Sequence, residues 1–205
     1  MPDYKLQYFE LHGRAEPIRI LLHYLEIPYT EEYIKQEDWP SIKPSTPLGQ
    51  LPVLTVDEKL KLGQTTAILR YLGRTHGLCG LSPEEDAVID MYGEQLQDGI
   101  SAAVPYIRSI VKGEGDPETT KKEYVVPNIK NVTGPIFENQ LKANGTGYLV
   151  GKKLTWVDLF MANFFSRIPD EELLDDFPTV KKHKEMIFNL PTVKKYIETR
   201  PKHIF

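Results

Sequence analysis

The sequence predicts an α/β domain followed by an all-α domain, and three observations carry that prediction. Strand-like runs fall only before residue 63, a β-α-β order opens the chain, and beyond Ser82 the apolar residues keep helical spacing with no β pattern. The 205 residues suit two small domains. We place the first at residues 1–76, a linker at 77–82 and the all-helical domain at 83–205.

Tyr4 to Phe9 alternates in character and is rich in aromatics, which predicts the first strand. A turn at His12-Gly13-Arg14 leads into a helix with Ile18, Leu21, Leu22 and Leu25 on one face, and Glu16 and Pro17 suit its first turn. Tyr29 to Ile34 predicts a second strand, so the opening pair is parallel. Pro40, Pro44, Pro47 and Gly49 then make a loop, with at most a short helix near Asp38 to Ile42. Val53 to Val56 and Lys59 to Leu62 form two strands around a tight turn at Asp57-Glu58, and Gln64-Thr65-Thr66 opens a helix running to about Thr75.

Ser82-Pro83-Glu84-Glu85 joins an N-cap, a first-position proline and the glutamate of a capping box. Pro105 should end or bend the first long helix of the second domain, and residues 113–117 should connect it to the next. That next helix should bend at Pro127 and at Gly134-Pro135, and Gly145 and Gly147 mark its exit. Thr155-Trp156-Val157-Asp158 is a variant capping box opening a helix expected at the buried centre of the domain.

Composition narrows the function. A formal net charge of -4, with both signs scattered, excludes a phosphate-tracking surface and argues against nucleic-acid binding. No apolar run approaches the ~20 residues of a membrane span, and the opening MPDYKLQYF lacks a signal-peptide layout, so the cytoplasm is the expected address. Cys79 is the only cysteine, which excludes an internal disulfide, a C-x-x-C pair and a multi-cysteine zinc site. Any thiol chemistry must therefore use a bound thiol.

Tyr8-Phe9, Gly13-Arg14-Ala15-Glu16-Pro17-Ile18-Arg19, Asp38-Trp39-Pro40, Gly49-Gln50-Leu51-Pro52-Val53-Leu54, Gln64-Thr65 and the stretch 151–160 occur in that order. Together they resemble the cytosolic glutathione transferases, the sigma class in particular, over essentially the whole chain. The resemblance implies a thioredoxin-like first domain with a mixed four-stranded sheet and a helical-bundle second domain. It further implies glutathione as co-substrate, no required metal, and a homodimer.

Tyr8 ends the first strand, where ligands of such sheets collect. A free thiol has a pKa of about 8.5, so a nucleophile at neutral pH needs its thiolate favoured, and each unit takes about 1.4 kcal/mol. A protonated phenol at Tyr8 would supply that as a hydrogen-bond donor, with Arg14 and a helix N-terminus adding positive potential. On its own, Tyr8 reads as an ordinary strand tyrosine; the surrounding motifs give it the other role.

By the same resemblance, Leu51-Pro52 is a cis-proline turn offering the Leu51 backbone to the tripeptide as an added strand would. Gln64 and Thr65 meet the γ-glutamyl carboxylate at a helix start, or Thr65 serves as an N-cap, and both can hold together. Trp39, Lys43 and Gln50 face the glycyl end. Asp98 reads equally as a solvated helix carboxylate and as the acid that reaches a neighbouring subunit's γ-glutamyl amine. Gly13, Arg14, Tyr106 and Phe205 are the second-substrate candidates, and Thr155 and Asp158 are assigned to folding.

The leading expectation is attack of the glutathione thiolate on small hydrophobic electrophiles, with lipid hydroperoxide reduction or prostaglandin isomerisation as related activities. The rival is a non-catalytic, lens-type relative that keeps the fold alone. A thioredoxin-type reductase fits the first domain's topology but finds no site cysteine.

Overall fold

The computed structural model of the protein describes residues 2–203. Strand β1 (Tyr4–Phe9) buries every second side chain, Tyr4, Leu6 and Tyr8, as its alternation demands. Helix α1 (Glu16–Tyr24) follows and buries Ile18, Ile20, Leu21 and Leu22. Strand β2 (Thr30–Ile34) pairs parallel with β1, placing Tyr8 opposite Tyr33. A short α2 (Trp39–Ile42) crosses the proline-rich loop. Strand β3 (Val53–Val56) is buried throughout and runs antiparallel to β1, with Gln7 opposite Val53.

Strand β4 (Leu60–Gly63) pairs antiparallel with β3 and completes a mixed four-stranded sheet in the order β2-β1-β3-β4. Asp57 and Glu58 both have positive φ, 49° and 57°, so the hairpin turns on two left-handed residues, as a right-twisted pair of strands requires. Helix α3 (Thr65–Thr75) then packs beside α1 and buries Ile68, Leu69 and Leu72.

The helical unit opens with α4 (Pro83–Ala102). Ser82 caps it by accepting the Glu85 N–H at 3.3 Å, while the Glu85 carboxylate takes the Leu81 N–H at 2.7 Å, one residue upstream of its usual capping-box partner. Ala103 separates α4 from α5 (Val104–Lys112), which carries Pro105 in its first turn and ends on Gly113 at φ 67°. Asp116 caps α6 (Pro117–Thr120) by accepting the Thr119 N–H at 2.8 Å.

From there the chain stays helical through a π turn at Lys121–Val125, α7 (Val126–Asn128), a second π turn at Ile129–Thr133, and α8 (Gly134–Asn144). The prolines explain the π turns. Pro127 and Pro135 have no N–H for the carbonyls four residues earlier, Glu123 and Asn131, and their rings crowd those same groups. Each carbonyl lies inside a π turn, where the wider winding moves it away from the ring.

Helix α9 (Trp156–Ser166) is buried on nearly all sides, with Trp156, Phe160, Met161 and Phe165 inside. Gly93 of α4 makes room for it, because a Cβ there would collide with the Trp156 indole. Helix α10 (Pro178–Phe188) has no cap of its own at Phe177. Glu138 of α8 supplies one from a distance, accepting the Thr179 N–H at 3.0 Å, the Val180 N–H at 3.0 Å and the Thr179 hydroxyl at 2.7 Å. Burial pushes the Glu138 carboxyl up, and these bonds with Lys142 more than offset it, leaving it below the usual range.

The final helix is α11 (Pro191–Thr199). The chain separates into one compact unit running through His76 together with the segment from Leu190 onward, and a second spanning Gly77–Asn189. Helix α11 packs on α1, with Tyr196 donating to Glu16 at 3.0 Å and Thr192 to the Tyr24 carbonyl at 3.3 Å.

Candidate active site

The β1–α1 connection builds the centre of the site. Tyr8, 7% exposed at the end of β1, has its hydroxyl oxygen occupied by the Arg14 backbone N–H at 3.0 Å. That bond uses an oxygen lone pair and leaves the phenolic proton available. Gly13 sits between them at φ +45°, and a Cβ there would run into the Tyr8 hydroxyl and ring. Only glycine fits both the backbone and the space.

Thr65 ties α3 to the same loop, its hydroxyl donating to the Arg14 carbonyl at 3.0 Å. The N-cap reading of Thr65 is therefore replaced: Gln64 is the cap residue, at φ 69° and without a side-chain cap bond, and the buried Thr65 hydroxyl is committed to Arg14. What this helix start offers an anion is its backbone N–H groups. Gln64, a non-glycine residue held at positive φ, stores local strain of the kind that collects at ligand clamps.

The Gln64 amide donates to Gln50 at 3.0 Å, and the Lys43 stem passes close to Gly49, where a Cβ would stand 3.4 Å from its Cε. Trp39 lies edge-on to Phe9, the neighbour of Tyr8, at 5.6 Å between ring centroids. The Leu51–Pro52 peptide is cis and leads into β3 beside β1. Among the described residues, no hydrogen bond takes up the Leu51 backbone. One unit thus holds Tyr8, Gly13, Arg14, Trp39, Lys43, Gln50, Leu51, Pro52, Gln64 and Thr65 around the β1–α1, α2–β3 and β4–α3 connections.

Asp98 is exposed on α4 and Tyr106 is buried on α5, both in the second unit. Phe205 lies outside the described residues. Thr155 and Asp158 do serve folding: the buried Asp158 carboxylate accepts from the Thr155 N–H and hydroxyl, the Leu149 N–H and the His183 ring, at 2.8 to 3.0 Å.

Sequence reasoning read Glu16 as a first-turn residue, quoted Arg19 only as part of a motif and passed over Tyr196 and Arg200. The structure gathers all four. Arg19, 2% exposed, pairs with Glu16 at 3.0 Å and Glu31 at 2.6 Å, and its guanidinium carbon stands 5.9 Å from the Tyr8 ring centroid. Arg200 also pairs with Glu16. Burial pushes the Glu16 carboxyl up, but His12, Arg200 and Arg19 together hold it below the usual range. The i,i+3 spacing of Glu16 and Arg19 on one helix was the available signal.

Known proteins match this arrangement over its full length. A family model described as "Glutathione S-transferase, N-terminal domain" matches residues 15–83, and its C-terminal counterpart matches residues 103–200. The chain is 41% identical to "Glutathione S-transferase 1" of Ascaris suum, with 98% of each covered. A monomeric Na-GST-3 from the hookworm Necator americanus superposes with TM-score 0.92 at 37% identity, covering 99% of this chain and 100% of that one. A Nu-class GST from Haemonchus contortus does so at 0.87 and 40%, both chains fully covered. Prostaglandin synthase D of Nilaparvata lugens does so at 0.82 and 37%, covering 98% of this chain and 100% of that one.

Proposed function

Because the chain belongs to the glutathione S-transferase family, we propose that it conjugates glutathione to small hydrophobic electrophiles, with Tyr8 holding the reacting sulfur as a thiolate. The observation that carries this reading is the Arg14 N–H donated to the Tyr8 hydroxyl at 3.0 Å. An accepted N–H fixes the phenol's rotation, draws electron density from its oxygen and makes its own proton a better donor. A hydrogen bond to a charged partner contributes about 1.5–3 kcal/mol, enough to move a thiol from about 8.5 down by roughly one to two units. At neutral pH that ionises a large share of the bound thiol.

The rest of the tripeptide follows from groups already in place. The helix start at Gln64 and Thr65 takes the γ-glutamyl carboxylate on free N–H groups. The Leu51 backbone pairs with the cysteinyl residue, and Lys43, Trp39 and Gln50 meet the glycyl carboxylate. The electrophile then approaches the sulfur beside Gly13 and Arg14, with Tyr106 retained as a proposed second-substrate residue. We further propose a homodimer in which Asp98 reaches the neighbouring subunit's ligand; the hookworm relative, named as monomeric, makes sedimentation of the purified protein the necessary check.

Sigma-class membership with prostaglandin isomerase activity is the finer proposal. The quoted motifs and the Nilaparvata lugens prostaglandin synthase favour it, while the Haemonchus relative carries a different class name. Turnover of an endoperoxide, measured beside an aryl halide, an aldehyde and a lipid hydroperoxide, decides it.

Tyr8→Phe tests the central claim. Turnover with an aryl halide should fall well over tenfold near pH 6.5 because less of the bound thiol is ionised, while the KM for glutathione stays within about threefold because the tripeptide's other contacts remain. Unchanged turnover would reject the role of Tyr8.

A further inference from the structure

The Tyr8 phenol is held by a loop, and that loop is held by the far end of the chain. Arg19 donates from Nη1 to the carbonyls of Leu11 at 2.9 Å and His12 at 3.1 Å, the two residues just before Gly13. Arg19 is itself clamped by Glu16 and Glu31. The second oxygen of Glu16 belongs to the tail: Tyr196 donates to it at 3.0 Å, and Arg200 pairs with it. One residue further on, the Pro201 carbonyl accepts from the His12 ring at 2.9 Å. Arg19 thus holds the loop by two of its carbonyls, the His12 ring ties it to Pro201, and the tail supports both contacts.

The chemistry of this network is unusual for mere support. Glu16 and Arg19 are 0% and 2% exposed, and a buried ion pair is commonly no more stabilising than apolar residues of the same volume. What fixed charges with forked donors add is geometry. The Arg19 guanidinium, whose plane of donors reaches the Leu11 and His12 carbonyls, also stands near the Tyr8 ring, so backbone and phenol are registered against one group.

We propose that the C-terminal segment, through Tyr196 and Arg200 on Glu16 and thence Arg19, positions the Tyr8 hydroxyl for its bond to the glutathione sulfur. The inference rests on the reading of Tyr8 given above and extends it to residues that do not touch the tripeptide. Tyr196 and Arg200 are positioning residues: they fix where the Arg14 N–H and the phenol meet.

The test uses the full-length protein with glutathione bound and follows the ultraviolet absorbance of the thiolate against pH. Tyr196→Phe and Arg200→Gln are made singly, and each again in a Tyr8→Phe background. In the wild-type background each should raise the midpoint of thiol ionisation by about half a unit to one unit, and lower kcat/KM at pH 6.5 by about three- to tenfold. In the Tyr8→Phe background the same substitutions should do nothing to the midpoint, since the group they position is gone.

A tail that only stabilises the fold would lower Tm and leave the midpoint in place, and that result overturns the proposal. Equal shifts in both backgrounds would show a field acting directly on the sulfur, which also overturns it; Tyr196→Phe, which removes no charge, keeps the test decisive should Arg200→Gln fail to fold. If Tyr8→Phe alone leaves the midpoint unmoved, the reading of Tyr8 fails first, and the two failures are distinguishable.

Discussion

At the scale of single residues, the site depends on absences as much as on groups. Gly13 has no Cβ because the Tyr8 hydroxyl occupies that space, and its φ of +45° is one that other residues adopt at a cost of about 1–2 kcal/mol. Gly13→Ala should therefore act on chemistry more than on stability. We expect kcat/KM to fall at least tenfold as the phenol is pushed from the Arg14 N–H, with Tm lowered by only a few degrees. Retained turnover with a lowered Tm would show that Tyr8 yields without functional consequence. These residues were legible because they sit in one contiguous motif. Glu16 and Arg200 were not, since their pairing joins positions 184 apart in sequence, and no local pattern records it.

At the scale of elements, caps and breakers were readable and their consequences less so. The capping sequence at Thr155 predicted both the start of α9 and the folding role of Asp158, because a carboxylate three residues into a helix has few other partners. Pro127 and Pro135 predicted a bend, and the structure answers with π turns that keep the helix continuous. Spacing rules assume a fixed winding and could not foresee that. Asp158→Ala should be severe, stranding the Thr155 and Leu149 N–H groups and the His183 ring, each at about 1–3 kcal/mol. Urea unfolding should show a loss of at least about 3 kcal/mol, while the KM for glutathione of the folded fraction stays near wild type. A loss below about 1 kcal/mol would mean that water replaces the carboxylate.

At the scale of the whole molecule, buried titratable groups make stability depend on pH. The unit holding Tyr8 also holds His12, His23 and His76, and burial lowers the pKa of each below its ordinary value. For His12 the charges facing it are Glu16, which opposes the shift, and Arg200 and His203, which add to it; for His23 they are Glu16 and Glu31, both opposing. A histidine that resists protonation only when folded stabilises the fold fully above its unfolded pKa of about 6.5. That contribution is lost as pH falls through 6.5 toward the lower folded value, because the unfolded chain binds the proton first. Glu16 and Glu138, both held below the usual carboxyl range, add a later loss that begins as pH falls through about 4.5. The urea midpoint should thus be level from pH 8 to 7, begin to decline as pH falls through about 6.5, and decline further below about 4.5. His12→Asn and His76→Asn should each flatten the first decline. A midpoint constant from pH 7 to 5.5 would show that these rings protonate as freely in the folded chain as in the unfolded one.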